Sequence, residues 1–504
     1  MSETIISAIS AAFTPSCILF NLVGVLLGII FGALPGLNSV VGVALLIPVT
    51  YSMDATTAVI MLAGLYMGAT YGGSISAILL NCPGSAEAAC TAINGNLMAR
   101  SGRAKEALLY SVISSGVGGI FGCIVLLFFT PVLASLALKF GPPEMFLVCL
   151  GGLAIVGSLM GKSLAKGFFA VGFGLLLALT GIDNISSNYR ITFGSARLSA
   201  GLDIVPVVVG LFAVSEMLVL VGESSPDGSL LKMEASDISQ RSVWKNILQK
   251  EWWLTMKSAA LGTVIGILPG TGGSIASFVS YGEAQRIYGR EENFSRGSGD
   301  VRGIIAPETA NNAAVGGSLV PLLALGVPGS ATSALLYGAL TVQGIVPGPK
   351  LFTQHGVLAY ALMIGLIIST IVMILVGCNC SKLFSKVLLL KTKVIVPTVL
   401  ALCMIGAYSA RNSMFDVGVC LFFGILGLWF KKADIPLAPV LISMILGQML
   451  EENFRRCLII TNAKHISLLQ YVLVRPISLV LVALVVLLLA FNARTALRKN
   501  NRDD

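Results

Sequence analysis

The chain has 504 residues, 56% of them hydrophobic and 11% charged, with a formal net charge of +9. Soluble domains carry about a quarter charged residues, so the composition excludes a soluble fold. The Lys and Arg residues are spread over short loops rather than gathered into a patch, which speaks against a nucleic-acid partner and for a membrane-topology signal.

The N-terminal "MSETIIS" lacks a positively charged n-region and is expected to be retained rather than cleaved. No Asp, Glu, Lys or Arg occurs between Glu3 and Asp54, and a span needs only about 20 apolar residues. Apolar segments follow at 17–34, 38–51, 56–80, 107–138, 144–160, 165–181 and 204–222. A polar stretch over 223–250 interrupts them. Further segments lie at 252–268, 273–282, 304–325, 331–343, 357–379, 394–408, 415–430, 435–450 and 471–492. Uninterrupted runs such as "ISLVLVALVVLLLAF" are helical rather than barrel-like, since a barrel alternates apolar and polar residues. The expected fold is an all-α polytopic membrane protein of about 11–14 membrane segments. Its expected parts are a first repeat (1–222), a cytoplasmic linker (223–250), a second repeat (251–450), and an extra helix with a cytoplasmic tail (451–504).

The repeat is written in the sequence. "GALPG" (32–36) matches "GILPG" (266–270), 234 residues later, and Pro83 matches Pro328, 245 residues later. Placing the basic C-terminal tail inside puts the linker inside as well, and the two "G-x-L-P-G" motifs are then approached from opposite faces. Two inverted-topology repeats are therefore expected. The basic cluster in "EENFRRCLIITNAKH" (451–465) opposes this count, because it falls outside.

Proline removes a backbone donor and glycine permits positive φ, so Pro-Gly pairs break helices. The pairs Pro35-Gly36, Pro83-Gly84, Pro269-Gly270 and Pro328-Gly329 predict four discontinuities, as helix breaks or re-entrant hairpins. Broken ends inside a membrane offer amides to anions and carbonyls to cations. Candidate substrate-binding residues are Asn38, Ser74, Asn81, Pro83, Gly84, Ser85, Gly272, Ser318, Pro328, Gly329, Ser330 and Thr332. Asn81, Ser85, Ser330 and Thr332 are expected to face one shared cavity. In "APETANNAAVGGS" (306–318), Glu308, Asn311 and Asn312 are candidates for coupling a cation, because a carboxylate within the membrane marks an ion path or a buried pair. Arg302 is the alternative partner for Glu308. The glycines of "GGSISA" and "GGSLVP" read either as a sliding surface or as static packing.

The chain lacks a catalytic set: it has two histidines and neither a Gly-x-Ser-x-Gly elbow nor a P-loop, so it is not read as an enzyme. Its ten cysteines form no zinc pattern, and no cofactor is expected beyond a coupling cation, Na+ or H+.

The motifs "GALPGLNSVVGVALLIP", "GATYGGSISAILLNCPGSAEAACTAINGNLMARSGRA", "GILPGTGGSIASFVSYGEAQR" and "APETANNAAVGGSLVPLLALGVPGSATSALLYGALTVQGIVPGP" resemble the large membrane subunit of the tripartite tricarboxylate transporters. The resemblance runs from about residue 17 to 450. It implies a multi-pass protein of the bacterial inner (plasma) membrane that imports carboxylates on a cation gradient. It also implies a small membrane subunit and a periplasmic substrate-binding protein as partners. Asn94 stands where such proteins frequently have Asp. A passive anion channel or a membrane scaffold subunit is the alternative reading.

Overall fold

The computed structural model describes residues 2–34, 36–159, 163–183, 185–222, 238–289, 294, 299–380 and 392–487. Pro35, most of the linker and the C-terminal tail lie outside them. In chain order the helices are α1 (Ser2–Ala12), α2 (Pro15–Ala33), α3 (Ser39–Leu46), α4 (Ala55–Leu80), α5 (Ala89–Met98), α6 (Ala104–Ala137), α7 (Pro142–Leu159) and α8 (Leu164–Ala178). A hairpin of β1 (Gly181–Ile182) and β2 (Tyr189–Arg190) follows, pairing Gly181 with Arg190. After α9 (Ile204–Gly222) come α10 (Trp252–Ile267), α11 (Gly272–Tyr288), α12 (Arg302–Leu325), α13 (Ala331–Val342) and α14 (Gly356–Asn379). Then come α15 (Thr392–Arg411), α16 (Met414–Lys432) and α17 (Leu437–Lys464), followed by the short helices Leu468–Leu473 and Pro476–Leu487.

Seven helical stretches among the described residues are long and apolar enough to cross a membrane, with shorter apolar helices beside them. The expected all-α multi-pass architecture is thus the observed one. Phe128, Phe129 and Val132 on α6 and Phe422, Ile425 and Trp429 on α16 are exposed, as side chains facing lipid would be. The apolar window of α4 is entirely buried, and so is α12 from Gly303 to Ala324. These two helices form the centre. α12 is not among the seven stretches, because Glu308, Asn311 and Asn312 lower its hydropathy while burying no less of it.

The two halves repeat the same local geometry. α2 and α10 both end in extended residues, Leu34 and Leu268, followed by Gly36 at φ 82° and Gly270 at φ 78°. α4 and α12 both end in the left-handed region, at Asn81 and Gly326. A Cβ on Gly28 would sit 2.3 Å from the Leu65 carbonyl oxygen, and one on Gly262 would sit 2.1 Å from that of Ala310. The Gly84 amide donates to the Gly73 carbonyl at 3.2 Å, and the Gly329 amide donates to Ser318 at 3.3 Å. Every one of these pairs obeys the 234- or 245-residue spacing.

That register corrects a naive alignment. "GGS" at 72–74 and at 316–318 are 244 residues apart, so the structure pairs Ser318 with Gly73 rather than with Ser74. The boundary drawn at 450 falls inside α17, which is continuous to Lys464. Residues 451–464 are therefore the last turns of a helix rather than a loop. Their charges are largely neutralised: Arg455 pairs with Asp183 and with Glu451, and Arg456 with Glu452.

Asp183 also pairs with Arg190 at 2.7 Å, so the hairpin is clamped to α17. The Arg455 guanidinium and then the Ser186 hydroxyl hold the Asp183 carboxyl well below the usual carboxylate range. A depressed folded pKa stabilises above the unfolded value and is lost as pH falls through the folded one. The clamp should therefore persist on acidification to about pH 4, the ordinary Asp value. In Arg455→Ala the loss should move upward toward that value, and trypsin should cut after Arg190 several-fold faster at neutral pH, read by gel on protein in lipid nanodiscs.

Candidate functional site

The four helix breaks meet where the two halves touch, and the contacts are reciprocal. Ser39, in the first turn of α3, is hydrogen-bonded to Thr332 in the first turn of α13 at 2.8 Å. Their repeat equivalents are Gly273, in the first turn of α11, and Glu87, just before α5. There the Glu87 carboxylate lies 3.2 Å from where a Cβ of Gly273 would be. Ser277 fixes the junction at Gly273 and Glu87, donating to the carbonyls of Glu87 (2.7 Å) and Pro307 (3.2 Å). A Cβ on Gly272 would touch Ser330 at 3.7 Å. Each half thus lays its hairpin tip against the first broken helix of the other.

Several predicted residues serve the backbone at these breaks. Asn81 is exposed and left-handed at φ 54°, the conformation its equivalent Gly326 also takes. Asn tolerates that region better than most residues, so Asn81 is the stop of α4 and does not join the other tip residues. Asn38 caps α3, accepting from the Val41 amide at 3.0 Å. Ser330 caps α13 in a capping box with Ser333. Its hydroxyl also meets Tyr66 Oη at 3.0 Å, and Ser318 Oγ meets the same oxygen at 3.3 Å. Gly84 and Gly329 are required small by backbone: Cβ atoms there would lie 2.0 Å from the Gly32 carbonyl and 2.6 Å from that of Gly266. Pro83 and Pro328 precede those two glycines, and Pro269 and Gly270 make the other second-half break, where the Gly270 amide donates to Gly329 at 3.0 Å.

Glu308, Asn311 and Asn312 separate. Glu308 is fully buried, and its carboxylate accepts from Ser74 (2.5 Å), Ser115 (2.8 Å), Ser111 (3.3 Å) and Thr91. Arg302 instead pairs with Asp300 at 2.6 Å. A carboxylate offers about four lone-pair sites, and here four hydroxyls from α4, α5 and α6 occupy them. Its repeat equivalent is Ala63, so this cluster has no counterpart in the first half. Asn312 points its amide at the sulfurs of Met67 and Met373. Asn311 has no partner on either its Nδ2 or its Oδ1 and is fully buried.

Asn94 is a structural cross-link. It donates to Tyr281 Oη at 3.1 Å and accepts from the Asp300 amide at 3.0 Å. An amide supplies both donor and acceptor there, and a carboxylate does not. The glycines read as a possible sliding strip are packed inside their own halves: a Cβ on Gly317 would lie 2.4 Å from the Thr263 carbonyl, and one on Gly73 2.7 Å from Ser85 Oγ.

Beside the junction lies a cavity of about 690 Å³ lined by Asn38 before α3 and by Thr271 and Ser274 at the start of α11. Glu216, Lys431 and the segment Asp434–Ala438 close its other side. The N-termini of one broken helix from each half border this one space. Helix N-termini present free amides and a partial positive charge, which favour anions. Lys431 pairs with Glu216, so the cavity wall carries an ion pair. Tyr66, Glu87, Lys431 and the hydroxyls of Thr91, Ser111 and Ser115 escaped the sequence reading. None lies in a Pro-Gly motif, and only the repeat register reveals Tyr66 and Glu87 as the equivalents of Asn311 and Thr332.

The sequence profile of the "Tripartite tricarboxylate transporter TctA family" matches residues 18–442. The chain belongs to that family. It is 36% identical over 451 residues to a protein of Agrobacterium vitis described as an "Uncharacterized 52.8 kDa protein in TAR-I ttuC' 3'region", covering 90% of this chain and 89% of that one. It is 35% identical over 201 residues to an "Uncharacterized protein in TAR-II ttuC' 3'region" of the same organism, covering 40% of this chain and 82% of that one. As a TctA-family protein the chain is a multi-pass membrane component of a transporter, and the family is not an enzyme family. The match spans both halves and all four breaks, so the junction described above belongs to the family domain.

Proposed function

We propose that this TctA-family protein is the large subunit of a binding-protein-dependent secondary transporter of the bacterial inner membrane. It imports tricarboxylates or related carboxylate anions on a cation gradient, with a small membrane subunit and a periplasmic binding protein as partners. The observation that carries this reading is the cavity of about 690 Å³ bordered by two helix N-termini, one from each half. Its size lies within the about 300–1,000 Å³ usual for small-molecule sites. Backbone amides beside Asn38, Thr271 and Ser274 suit carboxylate oxygens, and they recognise the charge of the anion rather than its skeleton. An inverted relation between the matched halves would let the site open to either face by exchanging their conformations.

Single cysteines replacing Asn38 and Ser274, in a background cleared of native cysteines, should be shielded from a membrane-impermeant thiol reagent by saturating citrate. Preloaded citrate should accelerate uptake of labelled citrate, as in a carrier. Unshielded labelling at both positions would move the substrate elsewhere, and a lack of counterflow acceleration would favour a channel.

A further inference from the structure

The two tip junctions are equivalent by repeat but chemically unlike. At the second, every polar side chain at the contact finds another: Ser39 meets Thr332, and Tyr66 meets Ser330 and Ser318. At the first, Gly273, Glu87, Asn311 and Ser85 stand in place of Ser39, Thr332, Tyr66 and Ser330. The Asn311 amide is fully buried, and neither its oxygen nor its nitrogen has a partner. The Ser85 hydroxyl is also unpartnered. Glu87, partly exposed, has no cationic partner among the described residues. Asn311 Oδ1 and Glu87 Oε1 both close on one point: they lie 2.4 Å and 3.2 Å from where a Cβ of Gly273 would be.

We infer that Glu87 and Asn311 form a sodium site against Gly273, on the far side of the first turn of α11 from the anion cavity. This rests on the transporter reading above and names the ion that drives it. The bland alternative is that Glu87 only complements the positive end of α11, an effect of about 0.3–1 kcal/mol. That leaves Asn311 unpaired, at a cost of roughly 1–3 kcal/mol for a buried polar group. A hard cation prefers oxygen ligands, and one ion meets the carboxylate and Asn311 Oδ1 together.

Glu308 does not compete for this role, because its lone pairs are already occupied by four hydroxyls. Tyr66 blocks the equivalent position of the second half. One ion per chain is therefore the expected stoichiometry at the tips.

The test is thermal unfolding of the full-length chain in nanodiscs, in NaCl against KCl at equal ionic strength and without carboxylate. Wild type should be stabilised by Na+ in a saturable way. Glu87→Gln, which keeps the shape, and Asn311→Leu should raise the half-saturating Na+ concentration at least about tenfold. Asn311→Asp, which keeps the oxygen ligand, should retain the response, and Tyr66→Phe should leave it unchanged. The inference fails if Na+ and K+ act alike on wild type, or if Glu87→Gln responds as wild type does. Citrate shielding of the cysteines at Asn38 and Ser274 is read separately. If shielding persists while Na+ is without effect, the sodium site falls and the transporter reading stands. If shielding fails while Na+ stabilises, the substrate reading falls instead.

Discussion

Glu308→Ala should all but abolish recovery of folded protein from the membrane, whereas Glu308→Gln should be recovered at near wild-type yield. The carboxylate ties three first-half helices to α12, through Ser74 of α4, Thr91 in the first turn of α5, and Ser111 and Ser115 of α6. All four hydroxyls are fully buried. Alanine leaves them without an acceptor at the same moment, at roughly 1–3 kcal/mol for each that finds no other, and it opens a cavity as well. Glutamine accepts from Ser74 and Thr91 through its oxygen and donates to Ser115 and Ser111, whose hydroxyls need only rotate. Size-exclusion profiles after detergent extraction check the first outcome. Uptake of labelled citrate checks the second: Glu308→Gln should transport within about threefold of wild type, since the neutral group preserves the ring. A variant that folds normally yet loses uptake would instead make Glu308 the coupling carboxylate.

Gly84→Ala should be nearly as damaging, and worse than the same change at its equivalent, Gly329. The added methyl would lie 2.0 Å from the Gly32 carbonyl oxygen in the first half and 2.6 Å from that of Gly266 in the second. Both neighbours are backbone, so relief requires the hairpin tip to move off the helix end. Overpacking typically costs about 1–3 kcal/mol and occasionally more, and the closer contact places Gly84 at the upper end. Gly172→Ala and Gly282→Ala provide the control, because nothing lies within 4 Å of a Cβ at either. Thermal midpoints in one detergent should fall in the order Gly84→Ala, Gly329→Ala, then the two controls, from lowest to highest. Equal midpoints for Gly84→Ala and Gly172→Ala would mean that the tip is not seated on Gly32.

The cation candidates show how far a motif reaches. "PETANN" marks a polar stretch inside a buried helix, and a carboxylate and two amides so placed deserve scrutiny on energetic grounds alone. Their three fates, however, depend on which helix each side chain faces. Successive residues on a helix point about 100° apart, so Asn311 meets the first-half tip and Asn312 meets two methionines. Glu308, one turn earlier, meets four hydroxyls drawn from positions 74 to 115. No local pattern announces those partners.

The sequence by itself determined the class, the helical segments, the doubled Pro-Gly breaks and the family motifs. These are local properties: an apolar run long enough to span, a proline without a donor, a glycine free to take positive φ. It also carried the 234- and 245-residue spacings, which survive as matched carbonyl contacts and matched amide bonds. The tertiary structure alone decided which members of the repeat are chemically used. Tyr66 fills one junction while Asn311 and Glu87 leave the other open, and Ser318 answers to Gly73 rather than to Ser74. The physical reason is that a hydrogen-bonding group is satisfied by whatever packs against it in space. Here the satisfying partners lie some 190 to 290 residues away along the chain, on helices of the opposite half.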